Sequence, residues 1–188
     1  MNRITIPTTD QTPAASLPFL DAVKKQLGVV PNLMKMVGNS PAALEGYLSL
    51  NTALGKGMID AKTRERIALA IAEINGCSYC LSAHTYLGKN VAKLDDAEIL
   101  ANRNGTSSDP KAAAAVHFAA RVALEHGHVS DADVAAVKAA GYSNAEIVEI
   151  VLHVALNTLT NYVNEVAQTE IDFPRLNQSY ALLREACS

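Results

Sequence analysis

Two helical patterns meet at Asn75-Gly76, and that junction constrains the chain more than any other stretch. Before it, Ile67, Ala70, Ile71 and Ile74 follow the 3.6-residue period behind Asp60, a good N-cap residue. After it, Cys77, Cys80 and His84 stand at i, i+3 and i+7, which is one face of a second helix. On one unbroken helix Glu65 would lie roughly 18 Å from Cys77. Glycine tolerates the backbone angles of a break. A reversal there gives an antiparallel hairpin in which Glu65 falls level with residues near Tyr86, a turn or less from His84. The pattern therefore predicts that Glu65, His84 and Cys80 face a common cavity.

Each residue type has a physical reason to be there. Cβ atoms at i and i+3 of a helix are roughly 5–6 Å apart, against roughly 3.5–4.5 Å in a disulfide. A small distortion in the first turn closes that gap, so Cys77 and Cys80 suit a redox-active dithiol. The nucleophile is the thiolate, and an ordinary thiol with a pKa of roughly 8.5 holds little of it at neutral pH. A helix N-terminus stabilises the anion, and this argument alone favours Cys77 over Cys80 as the more acidic thiol. His84 can accept or relay a proton, and Glu65 can serve as base or orient the imidazole. Attack on a peroxide oxygen would give a sulfenic acid, which the second thiol condenses to a disulfide.

Composition narrows the setting. The chain has 188 residues, is 49% hydrophobic and carries a formal charge of −3. That suffices for one domain, taken as 1–188 with 1–15 an extended arm rich in Thr and Pro. Charges of both signs are interspersed, so no basic face points to nucleic acid. No signal-peptide or membrane-length apolar run is present: Ile147 to Leu156 is short and broken by Glu149 and His153. A cytoplasmic location is expected, and three cysteines with one CxxC fit a reducing compartment.

Caps and breakers place the remaining elements. Helices are expected from about Ser16 to Gln26, Pro31 to Val37, Pro41 to Leu54, Ala61 to Ile74 and Cys77 to about Gly88 or Asn90. Asp95 or Asp96 should cap another through Leu100, with Asn102 to Ser108 a polar loop. Pro110 to His126, a helix to Ala140 behind Ser130, and a long helix behind the Ser143/Glu146 capping box to about Gln168 complete the pattern. Ser179 to Cys187 is expected to add a terminal turn or helix. No convincing strand pattern occurs, so the expected class is all-α, a compact helical domain around the hairpin.

These residues resemble a known motif. Glu65, eleven intervening residues, Cys77-Ser78-Tyr79-Cys80, three residues and His84 look like the signature of the alkylhydroperoxidase D-like proteins within the carboxymuconolactone decarboxylase superfamily. Val30-Pro31-Asn32-Leu33 and Ala155 to Tyr162 resemble its peroxidase-related branch, and the likeness runs from roughly Gly28 to Pro174. The resemblance implies an all-helical fold and thiol-dependent reduction of a hydroperoxide. Cys80 would attack, Cys77 would resolve, and Glu65 and His84 would relay protons. It implies a trimer or hexamer, and a dithiol protein, such as a dihydrolipoyl type, as reductant. It calls for no cofactor, metal, nucleic acid or membrane. The family's histidine between the cysteines is here Tyr79, which removes one relay member.

Other readings use the same residues. Cys77, Cys80 and His84 could supply three zinc ligands, with Glu65, another histidine or Cys187 as a fourth. A decarboxylase-type lyase of the same superfamily would not need a CxxC. A redox-sensing helical oligomer would use the pair as a switch without turnover. Glu65 could instead belong to a solvated charged run, and His84 could be a satisfied core histidine. His117, His126, His128 and His153 are read as structural or exposed, Tyr79 and Tyr86 as packing or pocket-wall residues, and Cys187 as an incidental thiol.

Overall fold

A computed structural model describes residues 2–174, and among them nine α-helices and one short 3-10 turn form the fold, without a strand. In chain order the helices are α1 (Leu17–Leu27), α2 (Asn32–Val37), α3 (Pro41–Gly55), α4 (Ala61–Ile74), α5 (Ser78–Asn90), α6 (Asp96–Arg103), α7 (Pro110–Leu124), α8 (Asp131–Ala139) and α9 (Asn144–Ala167). The all-α expectation holds. Cys187 and the terminal helix expected over Ser179 to Cys187 lie outside the described residues.

Local chemistry sets most of the boundaries. Ser40, Asp60, Asp95, Asp109, Ser130 and Ser143 each accept a backbone N–H from the first turn of the helix that follows. Two of these caps, at Ser130 and Ser143, are reciprocal boxes closed by Asp133 and Glu146. Gly28 ends α1 in the left-handed conformation, at φ +76°. One boundary departs from expectation: α6 continues to Arg103 instead of stopping at Leu100. Tertiary contacts carry it on, because Arg103 Nε pairs with Glu73 Oε2 at 2.6 Å and Asn102 Nδ2 donates to Glu98 Oε1 at 2.9 Å.

α4 is the centre of the molecule, packing against α5, α6, α7 and α9. Ile67, Ala68, Leu69, Ala70, Ile71 and Ala72 are all buried, so this helix is apolar all round, as a central helix must be. Its alanines let neighbouring helices approach closely. One core layer joins Ile67, Ala70 and Ile71 to Ala115, Val116, Phe118, Ala119, Ile150 and Val154 of α7 and α9. A second joins Leu20, Val23, Leu33, Met34 and Leu44 of α1 to α3 with Cys77, Tyr79 and Cys80. The CxxC therefore sits inside a core and not on the surface.

The arm is tied down near its start. Arg3 donates its backbone N–H to Ala167 O at 2.7 Å, and Asn39 Nδ2 donates to Thr5 O at 3.2 Å. Arg66 of α4 meets Glu98 of α6 at 2.8 Å. Glu98 also accepts from Ser107 and from the backbone and hydroxyl of Ser108. This network pins the loop before α7 against α4.

Candidate functional site

The reversal between α4 and α5 occurs at Asn75-Gly76, where Gly76 adopts φ +66°. Cys77 is the N-cap of α5, and its sulfur accepts the backbone N–H of Cys80 at 3.4 Å. Antiparallel packing of α4 on α5 then puts Glu65 against His84, with Oε2 2.9 Å from Nδ1. Their side chains are 22% and 21% exposed, so neither stands in open solvent nor lies sealed in the core. Burial pushes His84 down, but the charge and hydrogen bond of Glu65 outweigh it and hold the imidazole above its usual range.

Both sulfurs are free thiols and buried, Cys77 at 0% and Cys80 at 2% exposure. They differ in surroundings. Cys80 accepts the S–H of Cys77; against the cost of burial, the charge of His84 and the amides of Asn164 and Asn161 add to that stabilisation. The result is a Cys80 thiol held below the ordinary range. Cys77 is pushed the other way, chiefly because it donates to Cys80 and then because it is buried beside that charge. The amide donated by Asn164 to the Cys80 sulfur at 3.3 Å therefore favours Cys80 as the more acidic thiol, against the helix-terminus argument, which favours Cys77. Direct hydrogen bonds to one sulfur outweigh a macrodipole that both residues share.

α9 supplies what the sequence reading missed. His153, Asn157, Thr160, Asn161 and Asn164 recur at helical spacing and are all buried, on a helix otherwise rich in apolar residues. Asn164 Nδ2 donates to Cys80 Sγ at 3.3 Å, and Asn161 Oδ1 accepts from Asn75 Nδ2 at 2.9 Å. The signal was available: five polar residues on one face of an apolar helix need partners when buried. His153, to which no chemistry was assigned, belongs to this stripe.

A cavity of about 120 Å³ joins these parts. Cys80, Glu65 and His84 line it together with Arg64, His153 and Asn157, and Tyr47 and Tyr79 contribute to its walls. Burial first, then the charges on Cys80 and Glu65, push Tyr47 up to about 12, so it remains a neutral phenol. Tyr79 donates to Asp172 Oδ1 at 2.8 Å and accepts the backbone N–H of Leu33 at 3.1 Å. It therefore ties the C-terminal segment and α2 to the CxxC helix, and Phe173 packs edge-on against its ring. Among the described residues no three His, Cys, Asp or Glu side chains are grouped closely enough to hold a metal ion.

Comparison with known proteins agrees with the all-helical fold. Residues 41–125, from α3 through the hairpin into the end of α7, match the carboxymuconolactone decarboxylase family. An uncharacterized protein of Haemophilus influenzae is 49% identical over 45 residues, 23% of this chain and 40% of that protein. The chain thus covers less than half the length of this curated relative. Over whole chains, a peroxidase-related protein from Ralstonia eutropha JMP134, described as having an alkylhydroperoxidase AhpD core, superposes with a TM-score of 0.81. The two share 22% identity, covering 91% of this chain and 92% of that one. A peroxidase-related protein from Silicibacter sp. TM1040 gives 0.78 at 22% identity, with 90% and 91% covered. The debrominase Bmp8, in complex with 2,3,4-tribromopyrrole, gives 0.75 at 19% identity over 90% and 91%. At these identities the likeness establishes a common fold.

Proposed function

The chain belongs to the carboxymuconolactone decarboxylase family, with the fold of its alkylhydroperoxidase D-like members, and from that premise we propose that it is a thiol-dependent peroxidase. The observation that carries the reading is the asymmetry of the thiol pair. Cys80 lines the cavity and its sulfur accepts Asn164 Nδ2 at 3.3 Å, while Cys77 is fully buried beside it and does not line the cavity. A nucleophile and a resolving thiol need that division of roles.

Cys80 thiolate attacks the distal oxygen of a hydroperoxide, ROOH. The O–O bond breaks, Cys80 becomes a sulfenic acid, and the departing alkoxide takes a proton from the His84 imidazolium that Glu65 orients. The alcohol ROH leaves. Cys77 thiol then attacks the sulfenic sulfur, forming the Cys77–Cys80 disulfide and releasing water. A dithiol reductant, such as a dihydrolipoyl protein, returns the pair to thiol and thiolate, is itself oxidised to a disulfide, and restores the proton to His84. Every side chain in this sequence except Cys77 lines the same cavity.

Self-assembly belongs to the same proposal. α9 turns its polar stripe inward, while Val148, Val151, Leu152, Leu159, Tyr162 and Val166 are exposed, Tyr162 at 58% and Val166 at 62%. Positions 148, 152, 159, 162 and 166 follow the three-and-four spacing of a helix-packing seam. A second copy of this chain covers that seam. Light scattering on the intact chain should give a mass above the monomer's, falling toward it for Leu159→Glu.

Reduced protein mixed with an organic hydroperoxide tests the activity. We expect loss of two titratable thiols per chain and catalytic consumption once a dithiol is supplied. A lyase of the same family would instead turn over a carboxylated lactone in the Cys77→Ala/Cys80→Ala variant. Slow oxidation with no turnover under any dithiol would favour a redox switch.

A further inference from the structure

Two groups in the cavity wall have no part in the sulfur chemistry. Arg64 donates Nη1 to Ile59 O at 2.8 Å, and no described carboxylate lies within ion-pair distance of its guanidinium. His153 is 4% exposed, and its Nε2 is buried with no hydrogen-bond partner among the described residues. An unpartnered buried imidazole nitrogen is costly unless something else occupies the space it faces. The two side chains are close enough that the positive charge of Arg64 helps keep His153 neutral. His153 stands three turns of α9 before Asn164, so this pair and the Cys80 sulfur bound by Asn164 mark different places along the helix. Between them Leu156, Asn157 and Thr160 line the cavity, and Leu33, Ala68 and Ala83 give it apolar wall.

We propose that Arg64 and His153 form the recognition end of the cavity, and that the preferred substrate is a small organic molecule bearing a carboxylate. Arg64 supplies the countercharge, and the Nε2–H tautomer of His153 supplies a hydrogen bond to one carboxylate oxygen. Neutral His153 suits this better than an imidazolium, since it adds a donor without a second buried charge beside Arg64. Glu65 has its charge engaged by His84, and Glu149, whose charge also reaches His153, is engaged by the backbone N–H groups of Met58 and Ile59. This inference rests on the peroxidase reading only for the word substrate; the binding preference can be measured without any turnover.

The test compares hexanoate with its neutral isostere hexanamide, binding each to the reduced full-length chain by isothermal titration. The His153 ring protons are followed by NMR in the same titration. Hexanoate should bind at least tenfold more tightly and shift the His153 ring signals. The preference should shrink several-fold in Arg64→Gln, and hexanoate affinity should drop in His153→Gln, each variant first shown folded by circular dichroism. Equal affinity for acid and amide in the unaltered protein would overturn the proposal, whatever the variants do. So would binding that leaves His153 unmoved. If hexanoate is preferred and yet no hydroperoxide oxidises Cys80, the recognition site stands and the peroxidase reading alone is lost.

Discussion

Asn164→Ala takes from Cys80 a hydrogen bond that helps hold its charge, at 3.3 Å, and leaves the fold's apolar core untouched. A hydrogen bond to a charged group is worth roughly 1.5–3 kcal/mol. Alkylation of Cys80 near pH 7 should slow by about tenfold or more, with the thiol pKa moving up. The pH profile of that alkylation makes a second prediction. A thiolate held below the ordinary range keeps its reactivity at neutral pH and loses it only as pH falls through the depressed value. The half-maximal rate should lie below the pH of roughly 8.5 expected of a free thiol, and Cys77 should stay unreactive across the same range. Mass spectrometry of pulse-alkylated protein at a series of pH values reads both. Glu65→Gln removes the charge that keeps His84 raised, so the imidazole should titrate at lower pH in NMR and peroxide reduction should fall by about 10²-fold or more.

At the scale of elements, the hairpin turn and the loop before α7 carry the risk. Gly76→Ala forces a Cβ into the left-handed region at φ +66°, which costs roughly 1–2 kcal/mol. Glu98→Ala should cost more, roughly 3–5 kcal/mol, because it strands the buried Arg66 as well as the hydroxyls of Ser107 and Ser108. For a chain of this length that lowers the melting temperature by about 6–20 °C, read by calorimetry. Helix ends were the legible part of this architecture. Ser40, Asp60, Asp109, Ser130 and Ser143 announce their helices through chemistry contained within four residues. So was the meeting of Glu65 with His84, since one glycine-marked reversal fixes it. What stayed hidden depended on which helix lies across the hairpin. Asn161 and Asn164 touch the site only because α9 packs on α4 and α5, and spacing within α9 says nothing about its neighbours. The extension of α6 to Arg103 had the same cause, a tertiary pair with Glu73.

For the whole molecule, acid stability follows from groups whose ionisation differs between folded and unfolded chains. Burial, helped by the charge of Arg64, pushes His153 down to about 4. Its folded value lies below the unfolded one, so stability is full above about pH 6.5 and declines as pH falls toward 4. Burial raises Glu98, but bonds from Ser107, Ser108 and Asn102 more than offset this and bring it down to about 2. Its contribution is present above about pH 4.5 and is lost as pH falls toward 2. His84 acts at the other end: its raised value stabilises fully below about pH 6.5 and fades as pH rises through the folded value. Melting temperature should therefore fall on acidification, and His153→Gln should flatten the limb between pH 6.5 and 4. Among the described residues no helix is long and apolar enough to cross a membrane. The central claim, that Cys80 and Cys77 trade two electrons with a hydroperoxide beside Glu65 and His84, has a direct measurement. Intact-mass and peptide analysis of reduced protein, before and after one equivalent of hydroperoxide, should show the loss of two hydrogens and a single Cys77–Cys80 cross-link. Two alkylatable thiols still present at those positions after peroxide treatment would contradict it.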